Sequence, residues 1–158
     1  MVEIEDIHAA AERLRPFVVR TPLIESPELD RITGGRVLLK AENLQQTGSF
    51  KIRGAYNLLS QLGLDQVKKG AVAYSSGNHA QAVAAAGTKL GIATTIVMPE
   101  DSPRIKIENT RRLGGTTVLY DRYTEAREEI AMKIAAQSGA VLVPPSNHEH
   151  IIAGQGTG

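Results

Sequence analysis

The sequence predicts an α/β protein with an open, mainly parallel, twisted sheet and flanking helices. Two observations predict this class. Short apolar or β-branched segments alternate with helical segments of about ten residues or more, which is the pattern of βα units in a parallel sheet. A glycine also follows several predicted helices, at the position where a left-handed residue ends a helix; these glycines are Gly63, Gly91, Gly114 and Gly139.

The predicted strands are short segments rich in β-branched and apolar residues. They are Val37–Lys40, Ala71–Tyr74, Thr94–Met98, Thr116–Tyr120 and Val141–Val143. Because helical segments separate most of them, neighbouring strands are expected to pair in parallel through crossover connections.

The predicted helices have recognisable start signals. Ser49 is expected to cap the helix that begins at Phe50, and Ser102 followed by Pro103 is a cap with proline at the first helical position. Thr124 followed by Glu125 is expected to begin another helix. The predicted helices are Ile4–Leu14, Ser26–Ile32, Phe50–Leu62, His79–Leu90, Ser102–Leu113 and Thr124–Ser138.

The composition excludes several classes of function. Lys and Arg total 18 against 17 Asp and Glu, so a strongly basic nucleic-acid binder is not expected. The absence of cysteine excludes disulfides, zinc–thiolate sites and cysteine nucleophiles. No apolar run approaches the ~20 residues of a membrane helix, and the acidic start has no signal-peptide core. We therefore expect a cytoplasmic enzyme or binding domain without a nucleic-acid or membrane partner.

The first candidate for chemistry is Lys51, in the segment Thr47–Ala55. A turn at Gly48 and Ser49 places this lysine in the first turn of a helix. The positive end of a helix disfavours an ammonium group, so the amine should lose its proton more easily than usual. Schiff-base chemistry requires such an amine. The alternative is a solvated lysine on an amphipathic helix.

The second candidate is the loop Ser75–Ala80, which directly follows a predicted strand. A strand, a glycine turn and a helix N-terminus expose backbone N–H groups that bind a carboxylate or a phosphate. In an open parallel sheet, ligands bind beyond the carboxyl ends of the strands, where this loop lies. The alternative is helix capping by Ser76 or Asn78, with His79 an ordinary first-turn residue.

Other motifs do not indicate a site. No G-x-G-x-x-G or Walker sequence is present. His148 and His150 flank Glu149, but residues two apart do not share a helical face, so no metal site is predicted.

The two candidate segments together resemble those of the threonine/serine dehydratase and serine racemase family, a group of fold-type II pyridoxal-phosphate enzymes. The resemblance covers essentially all 158 residues and corresponds to the N-terminal half of that family. It implies a tryptophan-synthase-β-like fold whose large domain is incomplete within this chain. The matching segments are Thr21–Leu23, Lys40–Gln45, Ser49–Ala55, Ser75–Ala82 and Ile152–Thr157.

The resemblance implies which residues bind the cofactor, pyridoxal 5'-phosphate. Lys51 would be the Schiff-base lysine, Phe50 would shield or position the ring, and Asn78 would hydrogen-bond the phenolic oxygen. The freed Lys51 amine would then remove the Cα proton of the substrate as a general base. The products would be a 2-keto acid and ammonia.

The resemblance also implies a binding loop for a small amino acid. Ser76, Gly77, Asn78 and His79 would hold the substrate carboxylate. Ser76 also matches the second acid/base of the racemase branch. The favoured activity is therefore an ammonia-lyase acting on threonine or serine, with serine racemase as an alternative.

Two further alternatives remain open. Arg122 could pair with the second carboxylate of 3-hydroxyaspartate, or it could lie on a solvated turn at a helix start. The chain could instead be an inactive fragment or a binding module, because the glycine-rich phosphate loop and the divalent-cation site of the family would lie beyond Gly158.

The resemblance implies a division of the chain into parts of two domains. Residues 1–46 would begin a large domain, residues 47–143 would form a small α/β domain, and residues 144–158 would return to the large domain. The full-length protein is expected to be a homo-oligomer, most simply a dimer.

Overall fold

A four-stranded parallel sheet organises the chain, and the computed structural model describes residues 1–158 throughout. The spatial order of its strands is β5-β4-β3-β6, and a separate antiparallel ribbon pairs β1 with β2. The strands are β1 Leu23–Glu25, β2 Leu38–Lys40, β3 Ala71–Tyr74, β4 Thr94–Pro99, β5 Thr116–Tyr120 and β6 Val141–Leu142.

Eight α-helices surround the two sheets. Helices α5, α6 and α7 make the crossovers that parallel pairing requires. The helices are α1 Ile4–Leu14, α2 Pro27–Thr33, α3 Lys51–Leu59, α4 Leu64–Lys69, α5 Asn78–Leu90, α6 Arg104–Arg112, α7 Arg127–Ser138 and α8 Glu149–Gln155. No helix is long and apolar enough to cross a membrane.

Helices cover both faces of the parallel sheet. Along β3, Ala71 and Ala73 belong to the main core beneath α5, whereas Val72 belongs to a smaller core beneath α7. This alternation follows from the two-residue period of a strand. A strand buried on both faces is continuously apolar, which explains why β3 was predictable from sequence.

Helix α3 lies between α5 and α8, and its contact with α8 depends on two glycines. A Cβ on Gly154 would lie 2.6 Å from the Arg53 carbonyl oxygen and 2.8 Å from the Gly54 Cα. A Cβ on Gly54 would lie 2.9 Å from the Ile151 carbonyl oxygen. The two backbones therefore approach more closely than any larger residue would allow.

Four of the five predicted strands form the parallel sheet, and the bounds of β3 and β5 are as predicted. The prediction for the strand Val37–Lys40 was wrong in part, because β2 begins at Leu38 and pairs antiparallel with β1 outside this sheet. The strand predicted as Thr94–Met98 extends to Pro99, and Val143 follows β6 rather than belonging to it. The three-residue strand β1 was not predicted, because its pairing with β2 is a tertiary contact. The overall α/β class is the one the sequence indicates.

The prediction that Gly63 ends a helix was wrong. Its φ of −68° is not left-handed, and it instead precedes α4, a helix that the sequence reading missed. Helix α3 ends earlier than expected, at Leu59. The other three glycines do adopt positive φ, with Gly91 and Gly139 directly ending α5 and α7.

The two predicted helix caps, Ser49 and Ser102, and the predicted helix start at Thr124 were also wrong. No side chain caps α3, and the hydroxyls of Ser49 and Ser102 are buried without a hydrogen-bond partner. Helix α6 begins at Arg104, after Pro103. The Thr124 hydroxyl donates to Asp121 within a turn, so α7 begins only at Arg127. In each case the local backbone places the hydroxyl away from the free N–H groups of the helix.

Candidate active site

Three segments meet at the candidate site. Helix α3 begins at Lys51, the loop Ser75–Gly77 follows β3, and Pro144–Pro145 follow β6. Because β3 and β6 are adjacent and parallel, their carboxyl ends lie at the same edge of the sheet. The sequence predicted this arrangement for the loop but not the contribution of the residues after β6.

The Lys51 amine is held in place by a backbone carbonyl. Its Nζ donates a hydrogen bond of 2.6 Å to Pro145 O and lies 5.3 Å from the centre of the Phe50 ring. The side chain is half-buried, and this burial lowers the pKa of Lys51 from its usual value. Its position at the first residue of α3 acts in the same direction.

The turn before Lys51 has an unusual backbone. Thr47 has a φ of 62°, which is left-handed and uncommon for a β-branched residue, and Gly48 follows with a φ of 71°. The Gly48 N–H donates to Gln45 O at 2.8 Å. Surrounding contacts must impose this conformation, because an isolated threonine would avoid it.

A largely buried ion pair joins α3 to the segment before the turn, and no role was predicted for its members from the sequence. Arg53 donates from Nε and Nη2 to the two carboxylate oxygens of Glu42, both at 2.8 Å. The Thr21 hydroxyl also donates to Glu42 at 2.6 Å, and Arg53 Nη1 reaches Thr157 O at 3.3 Å. The Arg53 guanidinium lowers the pKa of Glu42 to about 2.

A signal for this network was present in the sequence. Thr21, Glu42 and Arg53 lie in three different segments that carry the family resemblance. In the structure, Arg53 lies on a helix that is buried on nearly every side. A charged residue in such a position requires a partner, so an acidic residue in another matching segment was the natural candidate.

The loop Ser75–Asn78 leaves the first N–H groups of α5 available. The Gly77 N–H donates to Ser75 Oγ at 3.2 Å, and no side chain caps the helix. The alternative in which Ser76 or Asn78 caps α5 is therefore wrong. The uncapped positive end of a 13-residue helix favours an anionic ligand.

His79 lies in the first turn of α5 but faces the end of β6. Its side chain is 3 % exposed, and Nε2 donates to Val143 O at 3.0 Å because a carbonyl only accepts. Its Nδ1 is buried without a partner. Burial, together with the nearby Lys51 charge, lowers the pKa of His79 to about 4 despite the bond to Val143.

A cavity of about 330 Å³ lies beside Ser76, and two arginines line it. Arg122 pairs with Asp101 at 2.6 Å, and Arg127 pairs with Glu128 at 2.9 Å. Both pairs are partly exposed, so each guanidinium retains donors that face water. The full lining is Ser76, Pro99, Tyr120, Arg122, Glu125, Ala126, Arg127 and Glu128.

The site residues predicted from the sequence therefore lie in two places, beside the segment that follows β6 and in the loop that precedes α5. Lys51 and Phe50 adjoin the residues after β6, and His79 contacts Val143 in that same segment. Ser76 and Gly77 are half-buried in the loop, and Asn78 is exposed. Away from this site, His148 Nδ1 accepts from the His150 backbone N–H at 3.2 Å.

Two relatives with similar sequences are ammonia-lyases, and a third is a racemase. The L-threo-3-hydroxyaspartate ammonia-lyase of Pseudomonas sp is 52% identical over 96% of this chain and 48% of its own length. The L-threonine ammonia-lyase of Thermotoga maritima is 49% identical over 99% of this chain and 39% of its own length. The serine racemase of Schizosaccharomyces pombe is 43% identical over 97% of this chain and 47% of its own length.

Solved structures agree with the sequence comparison. Maize serine racemase superposes with a TM-score of 0.93 at 42% identity, over 99% of this chain and 47% of its own. The chain spans about half the length of the curated relatives it matches. The family described as "Pyridoxal-phosphate dependent enzyme" matches residues 14–158. These residues are most of the chain, which therefore belongs to the pyridoxal-phosphate dependent enzyme family.

Proposed function

We propose that this chain carries the catalytic lysine and the substrate loop of an ammonia-lyase that converts threonine or serine to a 2-keto acid and ammonia. One observation carries the proposal. The Lys51 amine, whose pKa is lowered by burial, is held at the same sheet edge as the uncapped N-terminus of α5. A candidate base and a candidate anion-binding site thus lie at one edge of the sheet.

The residues present fit pyridoxal phosphate. Lys51 provides an amine for covalent attachment, and the Phe50 ring beside it is 42% exposed and so available to a flat aromatic ligand. The Asn78 side chain is exposed and makes no hydrogen bond within the chain, so its amide is free to donate. When bound, the cofactor supplies an electron sink for negative charge at the substrate Cα.

The chain's own groups would then bind the substrate and move its proton. The N–H groups at the start of α5, with Ser76, Gly77 and the His79 backbone, would receive the α-carboxylate. Lys51 Nζ, which gives up its proton more easily than an exposed lysine, would accept the Cα proton. The Ser76 hydroxyl is our candidate for a second acid/base, the group that racemisation needs.

A second substrate, 3-hydroxyaspartate, is favoured by the cavity beside Ser76. Arg122 and Arg127 line this cavity, and a guanidinium is well suited to a second carboxylate. The Pseudomonas relative, at 52% identity, is named for this substrate. A threonine or serine side chain offers no group that would need either arginine.

The domain division is likewise a proposal. We place residues 47–143 in a small domain between two parts of a larger one. Helix α3 supports a boundary near its start, because it packs against α5 on one side and against α1 and α8 on the other. Lys51 would then lie where the two domains meet.

The activity is tested by supplying the full-length protein with pyridoxal phosphate and each of L-threonine, L-serine and L-threo-3-hydroxyaspartate. The proposal predicts 2-keto acid and ammonia in equal amounts. If D-serine accumulates faster than pyruvate, the racemase alternative replaces the lyase. If no substrate reacts, the proposed activity is wrong.

The choice of substrate is tested by Arg122→Ala. If Arg122 binds a second carboxylate, kcat/KM for 3-hydroxyaspartate should fall about tenfold or more, with little change for threonine. Arg104→Ala is a matched control, because Arg104 lies in an exposed pair with Glu108 away from the cavity. Equal losses for both substrates, or none, would remove Arg122 from substrate selection.

A further inference from the structure

We infer that His79 is a positioning residue for Lys51, acting through the segment Val143–Pro145 that both side chains contact. The inference rests on the proposed function only in taking Lys51 as the lysine that carries the cofactor. It goes beyond that function because it gives the imidazole a role other than substrate binding.

Two hydrogen bonds define the connection. His79 Nε2 donates to Val143 O at 3.0 Å, and Lys51 Nζ donates to Pro145 O at 2.6 Å, two residues further along. The N–H of Val143 also donates to Val72 O at 2.8 Å. Val143 is therefore held to β3 on one side and to α5 on the other.

The two prolines make the position of Pro145 O depend on Val143. Neither Pro144 nor Pro145 has a backbone N–H, so neither can form its own donor contact with the sheet. Their rings fix φ near −65°, and a following proline restricts the ψ of Val143 and of Pro144, so the ψ of Pro145 is the main remaining freedom between the Val143 carbonyl and the Pro145 carbonyl. A change at the His79–Val143 bond should therefore move the acceptor of the lysine amine.

The state of the imidazole suits this role. His79 is almost fully buried, and burial with the nearby Lys51 charge keeps its pKa near 4, so the ring is neutral at neutral pH. A neutral ring with its proton on Nε2 can donate to Val143 O without adding a second positive charge beside the lysine. The Nε2–H group of His79 is thereby occupied by Val143 O.

The inference is tested by labelling the Lys51 amine in the cofactor-free protein with an amine-reactive acylating reagent. The labelling rate is followed against pH by mass spectrometry. His79→Phe keeps a ring but removes the donor, so the amine should move towards water and be protonated more often. We expect its labelling rate near pH 8 to fall about threefold, which corresponds to half a pKa unit.

Matched variants separate the hydrogen bond from packing. His79→Gln offers an amide donor and should restore labelling to within about twofold of the parent protein. His8→Phe is the control for the substitution itself, because His8 is exposed on α1. If His79→Phe does not fold, Pro144→Gly tests the same connection with His79 intact, and it should lower the labelling rate similarly.

Two results would overturn the inference. One is an unchanged Lys51 labelling rate in folded His79→Phe or, failing that, in Pro144→Gly. The other is an equal loss in His79→Gln, which would assign the effect to ring packing. The proposed function fails separately, if the cofactor attaches to a lysine other than Lys51, and that outcome leaves the labelling comparison valid.

Discussion

The segments around Lys51 and the loop that leads to α5 contribute to the same proposed site, but their polar groups are bonded differently. Around the first turn of α3, Arg53, Glu42 and Thr21 form a hydrogen-bonded network, although the hydroxyls of Thr47 and Ser49 are buried without a partner. At the start of α5, no side chain caps the helix, and the exposed Asn78 side chain makes no hydrogen bond. One region fixes a reactive amine, and the other leaves donors free for a ligand.

Because of this difference, substitutions in the two regions should affect two different processes, folding and ligand binding. The network around Arg53 is completed on folding, so changing it should affect stability. The loop before α5 is completed only when a ligand binds, so changing it should affect binding. Substitutions in the two regions should therefore separate effects on stability from effects on binding.

Breaking the buried ion pair should cause the greatest loss of stability. Arg53→Ala leaves the largely buried Glu42 carboxylate with only the Thr21 hydroxyl as a donor, which costs at most about 3–5 kcal/mol of unfolding free energy. Chemical denaturation measures this loss. Arg104→Ala removes an arginine from an exposed pair and should change stability little. Similar small effects for both variants would show that the network does not fix the turn.

Acidification should weaken the fold in two steps. The unfolded chain binds a proton on His79 near pH 6.5 and the folded chain only near pH 4, so lowering the pH through that window favours unfolding. The full effect is about 3 kcal/mol. Below pH 4.5, protonation of Glu42, whose folded pKa is about 2, should remove further stability.

Denaturation curves recorded from pH 8 to pH 3 test this dependence. His79→Gln should flatten the change between pH 6.5 and pH 4 while leaving the change at lower pH. A parent protein whose stability is constant from pH 6.5 to pH 4 would contradict the buried, neutral state of His79.

The smallest effect on stability is expected in the loop. Asn78→Ala should change the unfolding free energy by no more than about 0.5 kcal/mol, because the side chain is exposed and caps nothing. The same variant should weaken pyridoxal-phosphate binding or alter its visible absorbance, since one hydrogen bond worth roughly 0.5–3 kcal/mol is lost. Unchanged absorbance and unchanged rate would remove Asn78 from the cofactor site.

Sequence reasoning identified the features that depend on local pattern. The apolar run of β3, the positive φ of Gly91 and Gly139 and the position of Lys51 at a helix start all follow from short segments. Caps were less predictable, because a serine such as Ser49 caps a helix only if the backbone turns it towards the free N–H groups.

Features that join distant segments were not predicted. The contact of Lys51 with Pro145 spans 94 residues, and that of His79 with Val143 spans 64. Neither acceptor has a sequence signature, because every residue has a backbone carbonyl. The Arg53–Glu42 pair was detectable in principle, since a buried charge requires a partner.

The central claim is that Lys51 is the lysine that binds the cofactor. The most direct measurement is borohydride reduction of the full-length protein with bound pyridoxal phosphate, followed by peptide mapping. We expect one pyridoxyl group per chain, on Lys51, and none on the protein with Lys51→Ala. A pyridoxyl group on Lys40, whose amine donates to Thr21 O at 2.8 Å, or on any other lysine would contradict it.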